Sequence, residues 1–159
     1  NLKRFEGKFQ IYLPDVKYSD DALAERFSSA KDYFKTAKRA VREMLRQTGS
    51  YRIDEETGLM QRGVIIRHLL LPNHVENTLR VIDWVAETFE PGEVMFSLMR
   101  QYIPHGRAAE FADLNRKVTD DEYKRVEDHL FESGIEDGFV QDQESASDSF
   151  IPSFDGTGV

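Results

Sequence analysis

The chain has no cysteine in its 159 residues. Disulfide frameworks, thiol nucleophiles and cysteine-ligated metal are therefore excluded from these residues. It also lacks an apolar run of membrane-spanning length and a basic-then-apolar leader, so it reads as soluble and untargeted, with the cytoplasm as the expected location and no membrane partner. No glycine-rich phosphate fingerprint is present, since Gly156-Thr157-Gly158 has neither a strand before it nor a helix after it, and no serine sits in a nucleophile-elbow pattern. His68, His74, His105 and His129 show no His-Glu-x-x-His spacing, and no metal ligand is assigned. Positive charge is in deficit: 21 Lys and Arg against 29 Asp and Glu leave a net charge of −8, which repels phosphate backbones and argues against a nucleic-acid partner. The one basic concentration, Lys35, Lys38, Arg39, Arg42 and Arg46, recurs at helical spacing and reads as a solvated helix face.

Apolar residues make up 40% of the chain, enough for one core, and the pattern divides into a folded unit, 1–141, and a polar tail, 142–159, anchored by Phe150, Ile151 and Phe154. The opening Asn1-Leu2-Lys3-Arg4-Phe5 resembles the last turn of a helix stopped by Gly7, and with no initiator Met the chain is read as cut from something longer. The most informative stretch is Gly63-Val64-Ile65-Ile66-Arg67-His68-Leu69-Leu70-Leu71-Pro72. A continuous apolar run belongs to a parallel strand covered on both faces. Arg67 is the exception within it, and an uncompensated buried guanidinium costs several kcal/mol, so Arg67 must face a carboxylate, an anionic ligand or a wet cavity. His68 points to the opposite face and is read as a structural, hydrogen-bonded histidine.

The remaining elements follow in order. Phe9 to Leu13 is the first strand, and by its period of two Ile11, Leu13, Asp15 and Lys17 share a face. A surface ion pair between Asp15 and Lys17 is one reading of that corner, and a binding rim is the other. Ser19, Asp20 and Asp21 cap a short helix to about Ser29; Asp32 caps a longer one carrying Tyr33, Phe34, Ala37, Val41, Met44 and Leu45, which Gly49 closes. Asp54 to Gly58 forms a loop or small hairpin. Asn73 with Glu76 makes a capping box for a helix ending before Pro91, Glu93 to Met99 is a strand, Thr119 with Glu122 caps a helix stopped by Gly134, and Phe139 to Gln141 is a last short strand. Strands and helices alternate, which predicts a parallel sheet with right-handed crossovers. Three strands end in polar clusters, Asp15/Lys17, Arg67 and Arg100/Gln101/Tyr102, and three such ends on one rim make a pocket of mixed charge.

Tyr12-Leu13-Pro14-Asp15-Val16-Lys17-Tyr18, Arg67-His68-Leu69-Leu70-Leu71-Pro72-Asn73 and Gln101-Tyr102 resemble, in order and spacing, the later strands of radical S-adenosylmethionine proteins similar to pyruvate formate-lyase activating enzymes. The resemblance implies an α/β fold, the carboxyl-terminal part of a partial (β/α)6 TIM-like barrel. It implies an oxidoreductase that holds a 4Fe–4S cluster on a Cys-x3-Cys-x2-Cys loop, cleaves S-adenosylmethionine reductively to a 5′-deoxyadenosyl radical, and abstracts hydrogen from a glycyl-radical enzyme or another protein substrate. By the same resemblance Asp15 and Lys17 sit at the cofactor's carboxylate, Arg67 reaches toward it, Leu69 packs near it, and Gln101 or Tyr102 lines the adenosyl side. The cysteine loop and the glycine-rich stretch that grips the amino group would both precede Asn1, so this chain alone is expected to be catalytically inactive. Lacking the first strands, it is expected to pair its exposed sheet edge with another copy or cover it with its own tail. Two other readings stand beside this one: a half-barrel enzyme that binds a phosphorylated or carboxylated metabolite through Asp15, Lys17 and Arg67, and a non-catalytic protein-interaction module.

Overall fold

The computed structural model describes residues 2–140, and strands and helices alternate along them as the sequence pattern predicts. After a 3-10 turn, Leu2–Phe5, the chain enters β1 (Ile11–Tyr12). Pro14 has no N–H to give the ladder, which interrupts β1, yet its carbonyl accepts from Arg67 N–H at 2.9 Å and an isolated bridge between Asp15 and Arg67 resumes the pairing. Helix α1 (Asp21–Ser28) is capped by Asp20, whose carboxylate accepts from Ala22 and Leu23 N–H. Helix α2 (Tyr33–Thr48) closes at Gly49, with φ 70°, as expected. Strand β2 (Arg52–Ile53) and the start of β3 (Met60–Leu69) form the small hairpin, turned by Asp54, whose carboxylate accepts from Glu56 and Thr57 N–H. Then come α3 (Val75–Thr88), β4 (Met95–Met99), a connection with a 3-10 turn at Gly106–Glu110, α4 (Asp120–Glu132) and β5 (Gly138–Val140). The Thr119/Glu122 capping box is present.

Two expected caps are not made. Asp32 occupies the N-cap of α2 but in a left-handed conformation, φ 51°, with no side-chain cap, and Asp21 instead accepts from Phe34 N–H at 3.1 Å. Asn73 also sits at positive φ, 65°, and α3 begins only after His74; the Asn73 amide turns away to donate to Asp113 O at 2.7 Å. Hydrogen bonds from outside the helix replace the local cap at both places. The last strand is Gly138–Val140, and Gln141 and the tail from 142 lie outside the described residues.

The sheet runs β1-β3-β4-β5, every neighbour parallel, with β2 added antiparallel to β3. Strand order follows chain order without reversal. Helices α2, α3 and α4 all bury their apolar stripes against Val64, Ile66, Leu70, Phe96 and Leu98, so one core lies on one face. The expectation that β3 is covered on both faces is thus not met: its second face, with Ile65, Arg67 and Leu69, is half exposed. A continuous apolar run did not require two covering layers here, because the second face meets its own rows of apolar neighbours, Ile65 beside Met95 and Leu69 beside Met99. At Gly63, φ 124°, an added Cβ would come within 2.5 Å of Tyr51, which is why glycine stands where β3 leaves the hairpin for the sheet.

Two buried polar side chains fix the segment that leaves β1. His68 is fully buried, and its Nδ1 lies 2.6 Å from Val16 O while Nε2 lies 2.8 Å from Thr78 Oγ1. A carbonyl only accepts, so Nδ1 carries the proton and Thr78 donates to Nε2. Asn77, on α3, donates to Lys17 O at 3.0 Å and accepts from Ser19 N–H at 2.7 Å. Residues 16–19 are therefore clamped from below, as the structural reading of His68 anticipates.

Candidate functional site

The parallel register places side chains in rows across the uncovered face. Asp15 is opposite Arg67, and Arg67 is opposite Ser97; one step toward the carboxyl ends, Leu69 is opposite Met99, and the constant offset of β1 against β3 brings Lys17 into that row. Arg67 Nε donates to Asp15 Oδ1 at 2.7 Å, with the two side chains 40% and 37% exposed. The carboxylate that Arg67 requires is thus Asp15, and Asp15 pairs across the strands rather than with Lys17 beside it. Among the described residues only Nε and Oδ1 are used, which leaves the terminal guanidinium nitrogens and the second carboxylate oxygen for a ligand carrying both charges.

Beyond this pair, at the carboxyl ends of β1, β3 and β4, lies a cavity of about 180 Å³ walled by Lys17, Tyr18, Phe27, Leu69, Tyr102 and Phe111. Its walls are mostly apolar, and the Lys17 ammonium makes no hydrogen bond or ion pair among the described residues. The Lys17 backbone is held instead: Tyr33 Oη accepts from Lys17 N–H at 2.9 Å and donates to Asp15 O at 3.1 Å. Burial is the main reason the Tyr33 hydroxyl is pushed above its ordinary value, with the Lys17 amide acting against it. Tyr102 donates to Leu114 O at 3.0 Å, and burial likewise raises its hydroxyl.

Residues after β4 close the cavity. Phe111 meets Phe27 edge-on at 5.0 Å, and the Arg26 guanidinium lies over both rings, 4.8 and 5.6 Å from their centres. Asp113 holds this flap: Arg26 donates to its two oxygens at 2.6 and 2.9 Å, and His74 Nε2 lies 3.1 Å away. Partial burial works to raise the Asp113 carboxyl, but the bonds from Arg26, the backbone and His74 outweigh it and leave it below the usual range. A second anchor follows. Glu122 accepts from Arg116 at 2.7 and 2.8 Å and from Asn73 N–H at 2.7 Å, and these bonds, the Arg116 pair first, hold its carboxyl down at about 2.

Of the six residues expected at a cofactor, the structure gathers Lys17, Leu69 and Tyr102 at the cavity and sets Asp15 and Arg67 on the adjoining open face. Gln101 is half-buried, makes no hydrogen bond among the described residues and does not line the cavity. Arg100 also leaves the rim, pairing with Asp120 and lying 4.5 Å over the Tyr123 ring on the helix side. The third polar cluster therefore splits: β4 ends at Met99, and a tight turn in which Tyr102 N–H donates to Arg100 O at 2.7 Å breaks the alternation and brings Tyr102, not Gln101, to the cavity. The flap residues Phe27, Phe111, Asp113 and Arg26 had no signal in the sequence beyond apolar residues in a long connection, Phe111 to Leu114. Among the described residues no group of histidines and carboxylates is placed to hold a metal ion.

No protein-family model matches the chain. Over 122 residues it is 33% identical to an uncharacterized protein of Methanocaldococcus jannaschii, an alignment that takes in 76% of this chain and 31% of that protein. The chain thus spans about a third of the length of the relative it matches.

Proposed function

We propose that this chain is the carboxyl-terminal part of a partial (β/α)6 barrel of the radical S-adenosylmethionine type, similar to pyruvate formate-lyase activating enzymes, and that the rim cavity takes the cofactor's adenosyl portion. One observation carries the reading. Lys17, Leu69 and Tyr102 meet in a single cavity at the carboxyl ends of three parallel strands, the end at which barrels bind ligands, with the Asp15–Arg67 pair on the surface beside it. Parallel strands in chain order with helices on one face also suit a barrel segment, whose interior would be the uncovered face.

Under this reading the Phe27, Phe111 and Tyr102 rings and Leu69 exclude water from a planar, largely apolar group. Lys17 supplies a cation at the mouth, and Asp15 and Arg67 offer opposite charges to a zwitterionic amino-acid head. Under the same reading an iron–sulfur cluster would be held by a Cys-x3-Cys-x2-Cys loop about one hundred residues before Asp15 in a longer polypeptide, two or three βα units of ~30 residues away. If bound there, the cluster would supply the electron, and S-adenosylmethionine the group that abstracts hydrogen. The test is anaerobic reconstitution of the longer polypeptide with iron and sulfide, followed by reduction in the presence of S-adenosylmethionine. Formation of 5′-deoxyadenosine supports the reading; a reconstituted protein with neither cluster absorption nor product contradicts it.

The Lys17 ammonium, without a partner among the described residues, favours a second reading, a scaffold that binds a phosphorylated or carboxylated metabolite. Binding of inorganic phosphate or a dicarboxylate without binding of S-adenosylmethionine would select it.

A further inference from the structure

The uncovered face of the sheet is ordered in three rows. Leu13, Ile65 and Met95 make one, Asp15, Arg67 and Ser97 the next, and Lys17, Leu69 and Met99 the one nearest the rim. Apolar side chains in the outer rows thus flank a polar middle row, and a sheet face of that kind packs against another layer. Helices α2, α3 and α4 all pack on the opposite face, while on this one Leu13 is 51% exposed and Asp15 and Arg67 are each more than a third exposed. Its charged side chains, Asp15, Arg67 and Lys17, sum to +1 in a chain whose total is −8.

The sequence beyond β5 has the complementary make-up. Residues 142–159 carry Asp142, Glu144, Asp148 and Asp155 with no lysine or arginine, and their large apolar side chains are Phe150, Ile151 and Phe154. Val140 pairs with Leu98, so this segment starts at the rim end of the sheet, one strand from Met99 and two from Leu69. The ten residues from Val140 to Phe150 can span ~33 Å, and β3 lies only ~10 Å from β5. The spacing agrees as well. Phe150 and Phe154 are four residues apart, as are Ile65 and Leu69, and in extended chain both intervals are ~13 Å. Pro152 disfavours helix at Ile151, which suits that extended form.

We propose that residues 148–155 dock on this face as a strap antiparallel to β3, with Phe150 seated on the Leu69 and Met99 row and Phe154 on the Leu13 and Ile65 row. Asp148 then comes to the rim beside Lys17, and Pro152 crosses the middle row. Burial of the two rings supplies the attraction, and the four acids of the segment against the +1 face set its direction. The strap passes over the Asp15–Arg67 pair, so a ligand head group that reaches that pair has to displace it, and the tail acts as an internal competitor for the face. The inference needs only the face and the tail. Phe27, Tyr102 and Phe111 take no part in it, and its failure leaves the cofactor reading intact.

The methionines supply the test, since Met95 and Met99 belong to the uncovered face and Met44 packs in the helical layer. In methyl NMR of the 159-residue chain, Phe150→Asp/Phe154→Asp is expected to move the Met95 and Met99 signals, which lose the ring currents of the two aromatics, and to leave Met44 in place. A second measurement uses the absence of native cysteine. Ser97→Cys/Pro152→Cys is expected to close an intramolecular disulfide about tenfold faster or more than Glu132→Cys/Pro152→Cys, whose first cysteine is exposed on α4, because a docked segment has a higher effective concentration at its seat. Met95 and Met99 signals that ignore the double substitution overturn the proposal. So do equal rates of closure for the two cysteine pairs, the behaviour of a tail that visits both sides of the sheet alike.

Discussion

His68 Nδ1 donates to the carbonyl of Val16, the residue that separates Asp15 from Lys17, across 2.6 Å in the buried interior. The residue that stands next to Arg67 in sequence thus positions the opposite strand's contribution to the rim, from the far side of the sheet.

Burial is the first cause of the fall of the His68 pKa from 6.5 to about 4, and the bond to Val16 only partly opposes it. The neutral imidazole is the folded form, while the unfolded chain takes up a proton below pH 6.5. The unfolded state binds more protons between pH 6.5 and about 4, so stability rises with pH across that window and is complete above it. The loss on acidification should reach about 3 kcal/mol from this group. Urea unfolding at pH 7 and pH 4.5 should show it, and His68→Gln, which can still donate to Val16 and accept from Thr78, should remove that part of the pH dependence.

Asn77→Leu removes the bonds to Lys17 O and Ser19 N–H from a buried position. Leaving those backbone groups without partners should cost about 2–3 kcal/mol. Hydrogen exchange should rise at residues 17–19 more than in the strands.

Asp113→Ala should free the flap. Its bonds to Arg26 and His74 lie near the surface, so global stability should fall by only about 1 kcal/mol. Limited proteolysis should nevertheless cut between residues 100 and 118 several-fold faster, and a variant cut no faster than the wild type would show that the aromatic contacts alone hold the flap closed.

Asp15→Asn and Arg67→Ala each break an ion pair that is more than a third exposed, so neither should change unfolding free energy by more than about 1 kcal/mol. A larger loss in either variant would mark the pair as structural and count against a role in ligand binding.

Much of this was legible in the sequence, and the reason is local chemistry. The Thr119/Glu122 box, the glycine closing α2, the hairpin at Asp54 and the inward stripe of α2 are decided by residues within one turn of each other. Period-two alternation also assigned Arg67 and His68 to opposite faces and Asp15 and Lys17 to one. What failed had long-range causes. Asn73 exchanged a local cap for Asp113, forty residues on, and Asp32 lost its role to Asp21. The both-sided burial expected for β3 fails because composition does not reveal how many layers cover a strand. The resemblance offers Gln101 or Tyr102 for the adenosyl side, and of the two only Tyr102 reaches the cavity. The flap was invisible because its closure depends on Arg26 and Asp113, which are 87 residues apart.

The central claim, that the cavity walled by Lys17, Leu69 and Tyr102 receives S-adenosylmethionine, is tested most directly by equilibrium binding of that cofactor to the longer polypeptide and to its Lys17→Ala and Tyr102→Ala variants. Loss of one charge-assisted contact or one stacked wall should weaken binding by about tenfold or more, at 1.4 kcal/mol per decade. Affinity unchanged in both variants, with the fold intact, would contradict the account.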